Sequence, residues 1–126
     1  MVTTNDDNKK VKLPGEAYSS KIRARFWITG EKDSYIGIGR IELLEHIDEL
    51  GSMNKAAKKM GMSYKKAWKL IEELNSMYDE PLVIKEHGGK QGGGTFLTDR
   101  GKKLVLDFKR LEKELVDFLV AKSSEL

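Results

Sequence analysis

The chain contains no cysteine, only two prolines and two histidines, and no apolar run long enough to cross a bilayer. Without thiols it has neither a disulfide framework nor a thiolate metal site, which suits a reducing compartment and a cytoplasmic location. His46 and His87 have no second histidine at ligand spacing, and no carboxylate pair gathers with either one. No metal, no cofactor and no enzymatic function is therefore expected. His46, set among acids, reads as a satisfied surface side chain, and His87 opens a loop where its protonated form suits a phosphate. Residues 1–20, MVTTNDDNKKVKLPGEAYSS, are polar, carry Pro14 and Gly15 and lack the apolar run of a signal peptide. They read as a disordered tail, with no membrane partner. The remaining 21–126 of a 14.3 kDa chain are enough for one domain with a real core.

Charge is scarce in net terms and concentrated in local ones. The formal balance is +3, yet Ser52 to Lys69, SMNKAAKKMGMSYKKAWK, holds six lysines and no acid. Its flanks are acidic: Glu42, Glu45, Asp48 and Glu49 precede it, and Glu72 to Glu86 follows. Positive charge gathered on one element is the footprint of a nucleic-acid partner, the plain alternative being a solvated lysine face.

Ile22, Ala24, Phe26 and Ile28 alternate with more polar neighbours, the period of a half-buried strand over Lys21 to Thr29. A turn at Gly30 to Asp33 should return the chain as Ser34 to Ile38, an N-terminal β-hairpin. Trp27 falls on the polar face and reads as cross-strand or interface packing, with base stacking as the alternative. Ile41, Leu44, Ile47 and Leu50 recur at helical spacing, and Gly51 supplies a stop. Ser52 then caps a second helix whose Ala56 and Ala57 permit a close crossing, and Gly61 sits where the next turn requires positive φ. Ser63 caps a third helix to about residue 78, burying Ala67, Leu70, Ile71, Leu74 and Tyr78. Met53, Met60, Met62 and Met77 read as gap-fillers at helix contacts.

Two short helices joined by a tight turn form a helix-turn-helix, whose second helix fits the DNA major groove. In the third helix lysines crowd the N-terminal half, while Glu72 and Glu73 lie towards the C-terminal end. The helix dipole favours the opposite order, so the arrangement makes sense where a polyanion meets that N-terminal half.

After Pro81, the segment Leu82 to Ile84 and the later Phe96 and Leu97 read as two short strands around five glycines in seven residues, Gly88 to Gly94. A nucleotide-cradling loop is the alternative, but Gln91 follows Lys90 and no helix follows directly. As a wing, the loop lays backbone amides and Lys90 along DNA. Thr98, Asp99 and Gly101 open a last helix of about 98–120, in which Leu104, Phe108, Leu111, Leu115 and Phe118 make a coiled-coil seam. Two heptads serve either packing on the chain's own domain or a homodimer. The fold class expected is α+β, mainly α: a winged helix-turn-helix with an N-terminal hairpin and a long C-terminal helix.

The run GSMNKAAKKMGMSYKKAWKLIEELN followed by GGKQGGGTFLTDRG resembles the N-terminal DNA-binding domain of ModE-type, molybdate-responsive regulators, over roughly Gly39 to Leu119. Gly51-Ser52, the set Gly61, Ser63, Tyr64, Lys65, Ala67 and Trp68, and the Gly88 to Gly94 wing carry that likeness. The spacing of Leu97, Thr98 and Gly101 is similar to the wider LysR-type winged helix. The resemblance implies a dimeric transcriptional regulator. It does not imply a molybdate sensor here, because members carry the oxyanion in additional C-terminal domains and this chain ends at Leu126.

By position in the family motif, Ser63, Tyr64, Lys65, Lys66 and Lys69 face DNA, Ser52, Asn54 and Lys55 touch its backbone, and Lys90, Gln91 and Thr95 serve the wing. Lys65 or Lys66 suits guanine O6 and N7, and Tyr64 and the serines suit phosphate oxygens. Trp68 lies beside the buried stripe and reads as core before contact. The expected function is sequence-specific binding of double-stranded DNA. The rival is a winged helix used only for protein interaction.

Overall fold

The computed structural model describes residues 16–18, 21–30, 35–87 and 93–126. The turn expected through 31–33, the wing tip with Lys90 and Gln91, and residues 1–15 of the expected tail lie outside the described residues.

Four short strands come first: β1 (Glu16–Tyr18), β2 (Arg23–Arg25), β3 (Ile28–Thr29) and β4 (Tyr35–Ile36). The alternation of inward and outward side chains runs from Lys21 to Thr29 as the sequence pattern predicts, but it serves two hairpins rather than one. β2 pairs antiparallel with β1, Arg23 opposite Tyr18, and β3 pairs with β4, Ile28 opposite Ile36. Glu16–Tyr18 was assigned to the tail on composition; its order comes from backbone pairing, which polar composition does not report. Phe26, between the two hairpins, stacks on Phe108 with ring centroids 4.6 Å apart.

Helix α1 (Ile38–Leu50) buries Ile41, Leu43, Leu44 and Ile47 and ends at Gly51, φ 63°. Helix α2 (Met53–Lys59) packs Met53, Ala56 and Ala57 inward. The Ser52 side chain accepts from the Lys55 amide at 3.1 Å, the cap its position predicts. Gly61 has φ 68°, a region closed to most side chains, and the turn it makes lets the Met62 amide donate to Ala57 at 3.0 Å. Ser63 caps α3 (Tyr64–Asn75) by accepting from the Lys66 amide at 3.0 Å. This helix is shorter than its apolar spacing suggests. Ala67, Ile71 and Leu74 are buried on it, and past its end Met77 takes the fully buried place expected of Tyr78, which is half-buried. Strands β5 (Val83–His87) and β6 (Gly93–Leu97) form an antiparallel hairpin with Val83 opposite Leu97. Helix α4 (Asp99–Ser123) follows at once, capped by Thr98.

The core sits where α1, α2 and α3 meet, closed on one side by β5, β6 and the first third of α4. The architecture is a winged helix-turn-helix, mainly helical, with its wing and long last helix in the predicted places. Among the described residues no helix is long and apolar enough to cross a membrane.

One cluster joins three of these elements. The Asn75 side-chain Oδ1 accepts from the Leu82 and Val83 backbone amides at 2.8 and 3.0 Å, and its Nδ2 donates to the Val83 carbonyl at 3.0 Å. The end of α3 is thereby tied to the base of the wing. From the other side the Thr98 hydroxyl donates to the Pro81 carbonyl at 2.8 Å and its amide to the Leu82 carbonyl at 2.9 Å. Gly101 lies so near that a β-carbon there would overlap the Leu82 carbonyl oxygen. Since this obstacle is backbone, Gly101→Ala should cost about 1–3 kcal/mol and lower the thermal midpoint of circular-dichroism melting. Gly39→Ala, in helix α1 with nothing within 4 Å, should instead be neutral or stabilise by about 0.5–1 kcal/mol.

Candidate nucleic-acid interface

Helix α3 turns Ala67, Ile71 and Leu74 into the core, so Lys65, Lys69 and Glu72 run along its outward side. Tyr64 and Trp68 flank that strip towards β5, while Lys66 and Glu73 flank it towards α1. Tyr64, Lys65, Lys66, Lys69 and the capping Ser63 are exposed, as are Asn54 and Lys55 on α2, and Ser52 is half-buried. Seven of the eight side chains expected to reach DNA from the two helices are thus exposed, and Tyr64, Ser52 and Asn54 border a common notch. Both capping serines use their oxygens as acceptors for helix amides, and each retains a hydroxyl proton to donate to a phosphate.

The cations of this surface differ from those elsewhere. Lys103 pairs with Asp107 at 2.6 Å, Arg110 with Glu114 at 3.1 Å, Lys113 with Asp117 at 2.8 Å, Lys109 with Glu45 at 3.5 Å and Arg40 with Glu73 at 2.8 Å. Among the described residues no carboxylate pairs with Lys55, Lys58, Lys65, Lys66 or Lys69; Lys59 alone in the basic stretch reaches an acid, Glu49 at 3.6 Å. Helix α3 compounds this, because no acidic residue stands in its first turn to answer the dipole. Uncompensated charge on two adjacent helices raises the local potential and attracts a polyanion.

Between the N-termini of α2 and α3 and the wing lies an open notch of about 180 Å³, bordered by Ser52, Asn54, Tyr64, Lys85 and the acidic Glu86. Lys85, on β5, stands 5.3 Å over the Trp68 ring, and Trp68 meets Tyr64 edge-on at 6.2 Å. A hydrogen bond from Trp68 to the Tyr64 hydroxyl, with a further contribution from Lys85 and against partial desolvation, holds that phenol below its ordinary value. The sequence does not single out Lys85. A lone lysine in an otherwise acidic stretch carries no signal until the β5–β6 hairpin carries it beside Tyr64.

Three expectations need revision. Thr95, expected on the DNA side of the wing, is 3% exposed, and its amide donates to the Gly51 carbonyl at 3.2 Å. It fastens β6 to the end of α1 because its side chain falls on the inward face of a two-residue alternation. Leu104 and Phe108, expected in a dimer seam, are 2% and 1% exposed in the chain's own core. The same stripe then runs past that core: Leu111 and Phe118 are exposed and Leu115 is half-buried. Trp68 is half-buried, packing on the core while also lining the outer face of α3. Trp27 meets Tyr35 of β4 edge-on at 6.2 Å, the cross-strand packing expected of it.

Residues 38–102, from the start of α1 into the first turn of α4, match the family described as bacterial regulatory helix-turn-helix protein, lysR family. The molybdenum transport protein ModE of Azotobacter vinelandii is 42% identical over 96 residues, which cover 76% of this chain and 36% of that protein. The transcriptional regulator ModE of Haemophilus influenzae is 40% identical over 79 residues, 63% of this chain and 31% of its own length. The DNA-binding transcriptional dual regulator ModE of Escherichia coli K12 is 47% identical over 66 residues, 52% of this chain and 25% of its own. The chain thus spans about a third or less of the length of these relatives. With the helix-turn-helix, the glycine-rich wing strands and the matched span all coinciding, the chain belongs to the lysR family of bacterial regulatory helix-turn-helix proteins and carries the N-terminal domain type of ModE regulators.

Proposed function

We propose that this chain is a cytoplasmic, non-enzymatic transcriptional regulator that binds double-stranded DNA in a sequence-specific manner as a homodimer. The observation that carries this reading is the set of unpaired lysines on α2 and α3, in a molecule whose α1 and α4 cations are mostly ion-paired. Helix α3 enters the major groove, where Lys65 and Lys69 on its outward strip reach guanine O6 and N7. Ser52, Asn54, Lys55, Ser63 and Lys66 hold the flanking backbone. Lys85 and Tyr64 receive a phosphate in the notch, and Lys90 and Gln91 extend the contact along the wing. Phosphate contacts of this kind position the helix, while the base edges supply the discrimination. The relatives named as transcriptional regulators support the same role.

Dimerisation falls to the side of α4 that the domain leaves exposed, Leu111 and Phe118, the last 56% exposed, with the half-buried Leu115 beside them. A two-fold axis there would present two α3 helices to successive half-sites about one helical turn apart.

Selection from a pool of random duplexes tests the reading, and an enriched two-fold-symmetric site is the expected outcome. Recovery of no sequence preference would leave a non-specific binder, and no retention at all would favour a protein-interaction module. Lys65→Ala should change the selected sequence, whereas Lys85→Ala and Lys90→Ala should weaken all sequences nearly equally. Phe118→Glu should convert dimer to monomer in analytical ultracentrifugation with little loss of thermal stability; a variant that stays dimeric would place the interface elsewhere. As pH rises, Tyr64 loses its proton below the ordinary tyrosine value near 10, and a phenolate in the notch repels phosphate. Wild-type affinity for DNA should therefore decline at a lower pH than that of Tyr64→Phe, as read by fluorescence anisotropy.

A further inference from the structure

The outer side of helix α3 presents an open surface patch formed by Tyr64, Lys65, Trp68, Lys69 and Glu72. These positions stand at i, i+1, i+4, i+5 and i+8: Lys65, Lys69 and Glu72 face away from the buried Ala67, Ile71 and Leu74, and Tyr64 and Trp68 border them on the β5 side. A strip of this kind on a DNA-reading helix is expected to be polar. Here the indole of Trp68 and the ring of Tyr64, 46% exposed, make an apolar border between the outward lysines of α3 and Lys85 of β5. Trp68 is also held in place: its inner side packs on the core, Tyr64 meets it edge-on at 6.2 Å, and Lys85 stands 5.3 Å over its ring. Core packing, Lys85 and Tyr64 account for part of the ring, and the remainder of the half-buried indole faces outward beside Lys65, Lys69 and Glu72.

The major-groove edge of a base pair offers donors, acceptors and one apolar group, the C5-methyl of thymine. Stacking on a base is closed to a side chain in an intact duplex, so an aromatic edge presented to that groove has the methyl as its complementary partner. We propose that Trp68, with Tyr64, is a specificity-determining contact that receives a thymine methyl. Each half-site would then place a thymine beside the bases that Lys65 and Lys69 read. This inference rests on the DNA-binding reading above and names a chemical feature that its target must contain.

The test uses the intact chain and the site enriched from random duplexes. Each thymine of a half-site is replaced in turn by deoxyuridine, which removes the methyl and leaves the hydrogen-bonding edge unchanged. One position should weaken binding by about fourfold, the loss expected for one buried methyl, and replacement in both half-sites should compound it. Trp68→Leu should bind the thymine and uracil duplexes with nearly equal affinity. A second measurement avoids any dependence on a variant that folds poorly: 5-bromodeoxyuridine at that position places its halogen where the methyl was, and irradiation should cross-link it to Trp68 or Tyr64. Specific binding that is insensitive to uracil at every thymine, or a cross-link confined to residues outside α3, would overturn this assignment and leave the DNA-binding reading standing. A protein that shows no sequence preference would overturn both.

Discussion

The Leu82 carbonyl stands at the junction of three elements. It accepts from the Thr98 amide at 2.9 Å and the Thr98 hydroxyl at 3.3 Å, and Gly101 fits against it only because glycine has no side chain. The Leu82 amide is held in turn by Asn75 at the end of α3. Half-buried polar groups satisfied in this way fix geometry more than they add net stability. The angle between the reading helix, the wing and the last helix is set here. If the cluster loosened, Lys85 would no longer stand over Trp68, and the α4 stripe would no longer leave the domain in a fixed direction.

The acidic and basic stretches of the chain largely occupy different helices, touching where Glu49 of α1 reaches Lys59 of α2. Glu45 of α1 pairs with Lys109 of α4, Asp107, Glu114 and Asp117 pair within α4, and Arg40 reaches Glu73 on the side of α3 facing α1. That ion pair holds Glu73 on the α1 side of α3, so the outward strip carries Lys65 and Lys69 with Glu72 as its acid. Exposed pairs such as these contribute little to stability; their effect here is to remove competing negative charge from the lysine surface. The same contacts divide α4, whose first third completes the core while its later turns carry Leu111 and Phe118 into solvent.

Much of this arrangement was legible in the sequence because local chemistry dictated it. Ser52 and Ser63 are caps, Gly51 and Gly61 are left-handed turns, and the Ala67–Ile71–Leu74 stripe buries as its spacing requires. The less legible features depend on partners distant along the chain. Period-two alternation marks a strand but not its neighbour, so the pairing of β2 with β1 could not be separated from that of β3 with β4. Thr95 looked like a wing contact because the hairpin register, which turns it inward onto Gly51, is a tertiary property. An apolar seam likewise does not say where its own domain ends, and Leu104 and Phe108 went to the core for that reason. Lys85 had no local signal at all.

Whether the uncompensated lysines of α2 and α3 meet DNA phosphates and release counterions is read from the dependence of affinity on salt for one duplex, compared between the wild-type chain and a variant with Lys65, Lys66 and Lys69 changed to alanine. The expected log-log slope is about −0.9 per phosphate contact, with roughly six to ten contacts for a dimer, and is clearly shallower for the variant. A slope near zero, or one that the three substitutions leave unchanged, would contradict those contacts.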